Sequence, residues 1–383
     1  MSDLHLTYRI GYSIVRGIIN NVAEELWAIK KQFFPELTTE CLEDIAKTFD
    51  EKANFPHCVG SIDGKHIRVK KPDGTGSEFF NYKHFFSFVL LAICDANYRL
   101  VFVDVGAYGK SSDSTVFLES AFLKQLVEGK IKFPKSRPLP GQNVDRPFII
   151  VGDEAFSLSE KIMRPYSGHF LSLKKRIFNY RLSRARRFIE CTFGIMANKW
   201  RILHRAMDVC LETAQLITQM CCLLHNFVRE RENFVDFDSE ADDVSWPWPE
   251  MQRGTGNQAQ VGRLVNGIRN TFADYFVSEE GKVPWQLEKN SKVATDIFLY
   301  GTNIRKKERR KNKSSYQNCN SISWYKSEKL TILHCLLFFS PNFVFFKKNA
   351  FASVSCNQQE CTPAHRVTCP QFYFVKAEMD VFF

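Results

Sequence analysis

The chain has no long uninterrupted apolar run. Its one extended candidate, Leu330–Phe346, is broken by His334, Ser340 and Pro341, which leaves it too short and too interrupted for a good membrane span. The opening residues, MSDLHLTYRIGYS, lack an apolar core behind a basic patch, so no secretory signal is expected. Internal repeats are absent, which excludes a repeat architecture. Cysteine is not scarce, but its spacing lacks the paired short intervals of a zinc finger. Cys356, Cys361 and Cys369 with His365 support no metal site, and Cys221, Cys222 and His225 sit in an apolar helix, MCCLLHNFV, where buried cysteine is ordinary core material. Twelve cysteines in 383 residues do not make the disulfide scaffold of a short secreted chain, and reduced, intracellular thiols are expected.

Acidic side chains are nearly missing from one stretch. Between Lys161 and Arg205 there are twelve Lys/Arg and a single acid, Glu190. Since the whole chain carries a formal charge of +10, essentially all the excess is concentrated there. That density suits an anionic partner such as a nucleic-acid backbone. An apolar fraction of 44%, with 14% aromatics, is enough to bury a sizeable core, which excludes wholesale disorder.

Along the chain four stretches differ in texture. Residues 1–50 are expected to be helical, with a turn at Gly11 and a second helix from Ser13 to about Phe33. Ile14, Ile18, Val22, Leu26 and Ile29 form one stripe along that helix. Two helices joined by a short turn fit either a DNA-reading helix-turn-helix or plain helical packing, and the pattern leaves both open. Residues 55–230 form the main unit. Three β-rich runs (58–69, 85–98 and 99–109) are followed by a helix after Ser114, a polar loop over 134–147, and a short strand, FIIVGDEAF, over 148–156. Long helices are expected over 182–203 and 211–231. Residues 231–300 form an acidic linker, with seven acids between Glu230 and Asp243, and then a helix over about 261–278. Residues 301–383 contain a basic run, RKKERRKNK (305–313), readable as a nuclear import signal or a solvated charge run, and an unassigned Phe-rich tail.

Three acids stand where chemistry could be built. Asp63 and Asp153 each end an apolar strand, the position at which an open sheet presents ligands. Glu190 lies on the long helix. At 100° per residue, Ile189, Phe193, Met196 and Trp200 define its core face, while Arg186, Arg187, Gly194, Ala197 and Arg201 surround the acid. The small residues leave room for a metal or a phosphate. The helix arginines Arg181, Arg184, Arg186, Arg187 and Arg201 are expected to hold a nucleic-acid backbone. Three carboxylates brought together repel by about 4 kcal/mol per pair at 4 Å, a cost that a bound divalent cation removes. All-oxygen ligation favours Mg²⁺ or Mn²⁺, and two such ions about 4 Å apart could activate water and stabilise the leaving oxygen.

The wording of these segments is also informative. GSIDGKHIRVKKP (60–72), GSEFFNYKHFFSFVLLAICDANYRL (76–100), VDVGAYGKSSDSTVF (103–117), VGDEAFSLSEKIMRPY (151–166), FNYRLSRARRFIECTFGIMANKWRIL (178–203) and LLHNF (223–227) together resemble the PIF/Harbinger DDE transposases and the nucleases derived from them. The resemblance runs from about Tyr8 to Trp285. It implies an α/β, RNase H-like catalytic core, a mixed sheet flanked by helices, with a helical N-terminal segment. It carries the catalytic and metal-binding triad onto Asp63, Asp153 and Glu190, with Asp113 of the SSDS motif in a supporting role. It further implies divalent-metal-dependent cleavage of DNA, a separate Myb-like DNA-binding partner, and a place in the nucleus, with the cytoplasm as a second location. Two departures accompany it: the segment before the core is shorter than is usual in the family, and nothing after about Gln286 matches. A domesticated, non-cleaving DNA-binding or scaffold protein remains the alternative, and backbone contacts alone do not separate DNA from RNA.

Overall fold

The computed structural model describes residues 2–168, 170–232 and 262–286. The basic run 305–313, the apolar run 330–346, the tail cysteines and most of the acidic linker lie outside the described residues. Within them the chain runs α1 (Ser2–Tyr8), α2 (Tyr12–Ala28), α3 (Thr39–Ala53), β1 (Cys58–Arg68), β2 (Ser87–Cys94), β3 (Leu100–Tyr108), α4 (Asp113–Glu119), α5 (Ala121–Val127), β4 (Arg137–Pro138), β5 (Asp145–Arg146), β6 (Ile149–Val151), β7 (Ile162–Met163), α6 (Leu173–Lys199), α7 (Leu211–Arg231) and α8 (Arg263–Tyr275).

The central sheet has the order β3-β2-β1-β6-β7. The three N-terminal strands form an antiparallel meander, whereas β6 joins β1, and β7 joins β6, in parallel. This is the mixed α/β sheet of an RNase H-like core. The strand sequences account for it: SFVLLAIC, buried at every position, can only be a central strand. The turn between β2 and β3 is set by Asp95, whose Oδ1 accepts the N–H groups of Asn97 and Arg99 at 2.7 and 2.9 Å.

The meander and the parallel strands separate early. β1 pairs with β6 only between Cys58 and Ser61, while its pairing with β2 continues to Arg68. From Ile62 onward one edge of β1 therefore has no strand beside it, and the sheet forks there. The faces of the fork are covered differently. On the Ser61 and Lys65 face lies α6: Ser61 Oγ donates to the Arg186 carbonyl, and the Lys65 ammonium stands over the Phe193 ring. On the Ile62 and Gly64 face lie the loop after β6 and α4, where Phe156 packs edge-on to Phe117.

The helices follow their apolar faces. Along α6 the expected core stripe is observed, with Ile189, Phe193, Met196 and Trp200 all buried. The helix starts at Leu173 rather than at 182, because Ile177, Phe178 and Leu182 extend the same stripe upstream. It stops at Lys199, where Trp200 leaves the helical region, and a 3-10 turn takes over at Arg201–His204. Helix α2 buries Val15, Val22, Ala23 and Leu26 and packs on α7, whereas Ile14, expected on the apolar stripe, is 50% exposed. Helix α3, capped by the Thr38 hydroxyl accepting from the Cys41 N–H, packs on β1 and α6. Cys221 and Cys222 are buried and His225 Nε2 meets the Tyr98 carbonyl at 2.7 Å, so this trio is core. The seven described cysteines named from Cys41 to Cys222 are free thiols. No described helix is long and apolar enough to cross a membrane.

Candidate metal centre

Three carboxylates meet at the fork. One oxygen from each of Asp63, Asp113 and Asp153 lies within 4.8 Å of the other two. Asp63 arrives on β1, just past the last pairing with β6, and its Oδ1 accepts the Gly64 N–H at 2.8 Å. Asp153 follows the end of β6, and its Oδ1 accepts the Ala155 N–H at 2.9 Å. The loop that carries it is held by Arg164, whose Nη1 donates to the Glu154 and Phe156 carbonyls. Asp113 is the first residue of α4, after Ser112, whose hydroxyl caps the helix by accepting from the Thr115 N–H at 3.2 Å. Ser114 and Ser157 share a hydrogen bond of 2.8 Å that ties α4 to the Asp153 loop.

Gly64 makes the meeting possible. A Cβ on this residue would lie 2.1 Å from Asp113 Oδ1 and 2.9 Å from Asp113 Cγ. The carboxylate rests where a side chain would otherwise be. Gly152 is packed tightly too, though less so, with a built Cβ 3.0 Å from the Phe156 ring and 3.1 Å from Ile62. Both glycines neighbour an acid of the cluster, and both serve close approach rather than an unusual φ.

The electrostatics follow from this crowding. Burial, then the Asp153 charge and more weakly that of Asp113, pushes Asp63 up to about 7, against the pull of Arg186 and the Gly64 N–H. Burial and the Asp153 charge push Asp113 to about 7 as well, with Lys83 pulling the other way. Carboxyls that close favour either shared protons or a cation. The donor set is entirely carboxylate oxygen, which fits a hard divalent ion and offers nothing soft for zinc or copper. A cation stands near the acids: Lys65 is half-buried and interacts with the Asp63 charge, its ammonium 5.5 Å from the Phe193 ring centre.

Glu190 stands apart from this group. Its side chain is 52% exposed, and it takes a 3.1 Å ion pair from Arg186 Nη2 one helical turn earlier. Arg186 thus lies electrostatically between the cluster and Glu190, pulling on Asp63 while bonded to the glutamate. A built Cβ on Gly194 meets nothing, so the helix surface one turn beyond Glu190 is open, as its sequence suggested. Asp113, expected only to support, is the acid the geometry adds. Its signal in the sequence was the SSDS motif carried by the family resemblance; in the structure that motif opens α4, one residue earlier than Ser114.

The basic helix requires one correction. Arg181, expected to contact nucleic acid, is only 2% exposed. Its Nε and Nη2 donate to the Asn54 carbonyl, its Nη1 donates to the Gly281 carbonyl and the Gln286 side chain, and its guanidinium stacks on Phe276. Buried and bonded to these interior acceptors, it presents no surface to a phosphate. The reason is its place on the wheel, beside Phe178 and Leu182 on the core stripe. Arg184, Arg186 and Arg187 are half-buried and Arg201 is exposed. Arg184 lies over the Trp285 ring at 4.6 Å.

The region matched to known proteins contains Asp63, Asp113, Asp153 and Glu190. The family described as DDE superfamily endonuclease matches residues 62–226. A "Protein ALP1-like" from Arabidopsis thaliana is 30% identical over 195 residues, covering 50% of this chain and 48% of that protein. "Putative nuclease HARBI1" from Homo sapiens is 26% identical over 219 residues, 55% of this chain and 58% of its own length. The protein of the same name from Xenopus laevis is 24% identical over 246 residues, 61% and 64% of the two chains. The chain thus spans between about half and two thirds of the length of these relatives. No solved structure matches it.

Proposed function

From the match of residues 62–226 to the family of DDE superfamily endonucleases, we propose that the chain cleaves DNA phosphodiester bonds with Mg²⁺ or Mn²⁺ held by Asp63, Asp113 and Asp153. The observation that carries the proposal is the convergence of these three carboxylates at the fork between β1 and β6. A bound divalent ion would supply Lewis-acid stabilisation and lower the pKa of an attacking water. The protein's own groups do the rest. The carboxylates fix the site and accept the water's proton. Lys65 and Lys83, each close enough to the acids to alter their titration or be altered by them, are placed to pair with non-bridging phosphate oxygens. Addition of water at phosphorus with departure of the 3′ oxygen leaves a 3′-hydroxyl and a 5′-phosphate. In a complete transposition machinery that freed hydroxyl would be the next nucleophile.

Glu190 enters as the fourth acid. The Arg186 ion pair is exposed on the glutamate side, where such pairs contribute little, so a phosphate that recruits Arg186 would release Glu190 towards a second ion. The remaining surface arginines, Arg184, Arg187 and Arg201 with Arg186, track the backbone, and binding weakens steeply with salt. Location in the nucleus and a Myb-like DNA-binding partner belong to the same proposal and rest on the family resemblance alone.

The test is cleavage of labelled DNA and RNA oligomers, side by side, in Mg²⁺ and Mn²⁺. Asp63→Asn, Asp113→Asn and Asp153→Asn should each lower the rate by at least about a hundredfold, with the fold retained, and Glu190→Gln should cost less than any of the three if a single ion suffices. Parent-like cutting by the three aspartate variants would end the assignment. The second reading, a DNA-binding protein that no longer cuts, is favoured by one observation: Glu190 is paired with Arg186 and outside the carboxylate group. Binding without cleavage in both ions would select it.

A further inference from the structure

The loop between β1 and β2 contains an exposed aromatic shelf that the cleavage chemistry does not use. Tyr82 is 60% exposed, yet its surroundings are rigid. Its ring packs edge-on against His66, with centroids 5.6 Å apart. His66 Nδ1 is bonded to Ser87 Oγ at 2.9 Å, and the buried Asn81 donates to the same hydroxyl. Asn81 Oδ1 in turn accepts the N–H groups of Lys83 and Phe85, which closes the turn around Tyr82. A Cβ on Gly109 would lie 2.8 Å or less from Ser87 Oγ, the Ser87 carbonyl and the Phe79 carbonyl, so the chain just past β3 presses on the base of the loop. A solvent-facing tyrosine is normally left mobile. Here hydrogen bonds and ring contacts from His66, Asn81 and Ser87 brace the loop around it.

The position of the shelf is fixed by strand geometry. Gly64, His66 and Arg68 alternate onto one face of β1. The Asp113 carboxylate rests on Gly64. Tyr82 and Phe85 pack on His66, and the Arg68 guanidinium lies 4.4 Å over the Phe85 ring with its side chain open to solvent. Each step of two residues along the strand is about 7 Å. The Asp113 carboxylate, the aromatic shelf and the Arg68 cation therefore follow one another at intervals of about one nucleotide. Lys83, whose ammonium is 5.2 Å from the Tyr82 ring centre, supplies a second cation on the side of Asp113. Aromatic faces interleaved with cations are the chemistry that holds unstacked bases and their phosphates.

We propose that Tyr82 is a stacking platform for an unpaired base next to the scissile phosphate, with Lys83 and Arg68 taking the phosphates on either side of it. The occupant is a single-stranded stretch of nucleic acid, so the substrate enters the site locally unpaired. The proposal rests on the nuclease reading only for the identity of the neighbouring acid site.

The experiment measures fluorescence anisotropy of the full chain in Mg²⁺ with a labelled thymidine 12-mer and with an abasic oligomer of the same length. Tyr82→Ala should weaken thymidine binding by about tenfold, Tyr82→Phe should restore it, and abasic binding should change less than twofold in either variant. Equal loss on both oligomers, or parent-like binding by Tyr82→Ala, overturns the proposal, as does a parent that binds the two oligomers equally well. A Mn²⁺ titration of Tyr82→Ala, expected to match the parent, guards against misfolding. Should the stacking effect appear while no oligomer is cut, the nuclease reading falls and the platform stands.

Discussion

A single hydrogen atom at residue 64 decides whether three carboxylates can meet. The built Cβ contact of 2.1 Å with Asp113 Oδ1 is relieved only if that carboxylate rotates away, because the backbone on either side is in the sheet. Rotation is inexpensive for the fold, since the clashing atom is the end of a short side chain, but it takes one donor out of the cluster. Gly64→Ala should therefore lower Mn²⁺ affinity by about tenfold or more, misplacement of about 1 Å being enough to cost that much in a preorganised site. Thermal unfolding without metal should change by no more than a few degrees. Calorimetric titration and a melting curve on the same sample check both halves, and an unchanged Mn²⁺ affinity would mean that Asp113 is not a ligand.

At the scale of elements, α6 joins the site to the rest of the protein, and Arg181 is its junction. One guanidinium links α6 to the C-terminal end of α3 at Asn54, to the segment after α8 at Gly281 and Gln286, and to the Phe276 ring. Replacement by Met keeps the length and apolar stem but leaves the three buried acceptors short of a donor, at about 1–3 kcal/mol for such a group. Arg181→Met should thus destabilise the protein by roughly 2–4 kcal/mol in urea unfolding, with no change in the salt dependence of DNA binding; a changed salt slope would return Arg181 to the nucleic-acid surface. This junction also marks where the sequence stopped being legible. The strands of β1 to β3, the α7 boundaries and the α6 core stripe are local patterns of period 2 or 3.6, and they were read from the residues. Asp153 was legible for the same reason, because an acid following an apolar strand is a local event; Asp63 was expected to end its strand as well, but β1 continues through it to Arg68, and only the pairing with β6 stops before it. Arg181 looked like its exposed neighbours because charge was counted along the chain, whereas its burial depends on carbonyls contributed from about a hundred residues away. Asp113 was undervalued on similar grounds: its contact with Gly64 is made across the sheet fork, which no window of sequence contains. Glu190 was placed correctly on its helix, but its Arg186 partner was read as a wall for phosphate rather than as a competitor for the acid.

For the whole molecule, protons and metal compete for the same carboxylates, and the competition should be visible in stability. Asp63 and Asp113 are both pushed up to about 7, whereas an aspartate in the unfolded chain titrates near 3.9. Between about pH 4 and pH 7 the native state therefore holds protons that the unfolded chain has lost, so this contribution stabilises at low pH and disappears as pH rises through 7. Two histidines act in the opposite sense. His66 and His225 are held down to about 4, chiefly by burial, so they remove stability as pH falls below the unfolded value near 6.5. The parent's pH profile sums these parts, and the carboxyl contribution has to be read by difference. Asp63→Asn keeps the shape and removes the charge. Without metal, its melting temperature should exceed that of the parent by a few degrees at pH 8, about 1 kcal/mol or more, and the advantage should shrink towards pH 5.5, where the parent's carboxyl is protonated. Mn²⁺ should reverse the order at pH 8 by binding the folded parent alone, and this metal-induced rise should fade at pH 5.5 as protons displace the ion. A parent that melts at the same temperature with and without Mn²⁺ at pH 8, or an Asp63→Asn advantage that grows towards low pH, would show that the crowded acids at the fork are neither repelling one another nor waiting for a cation.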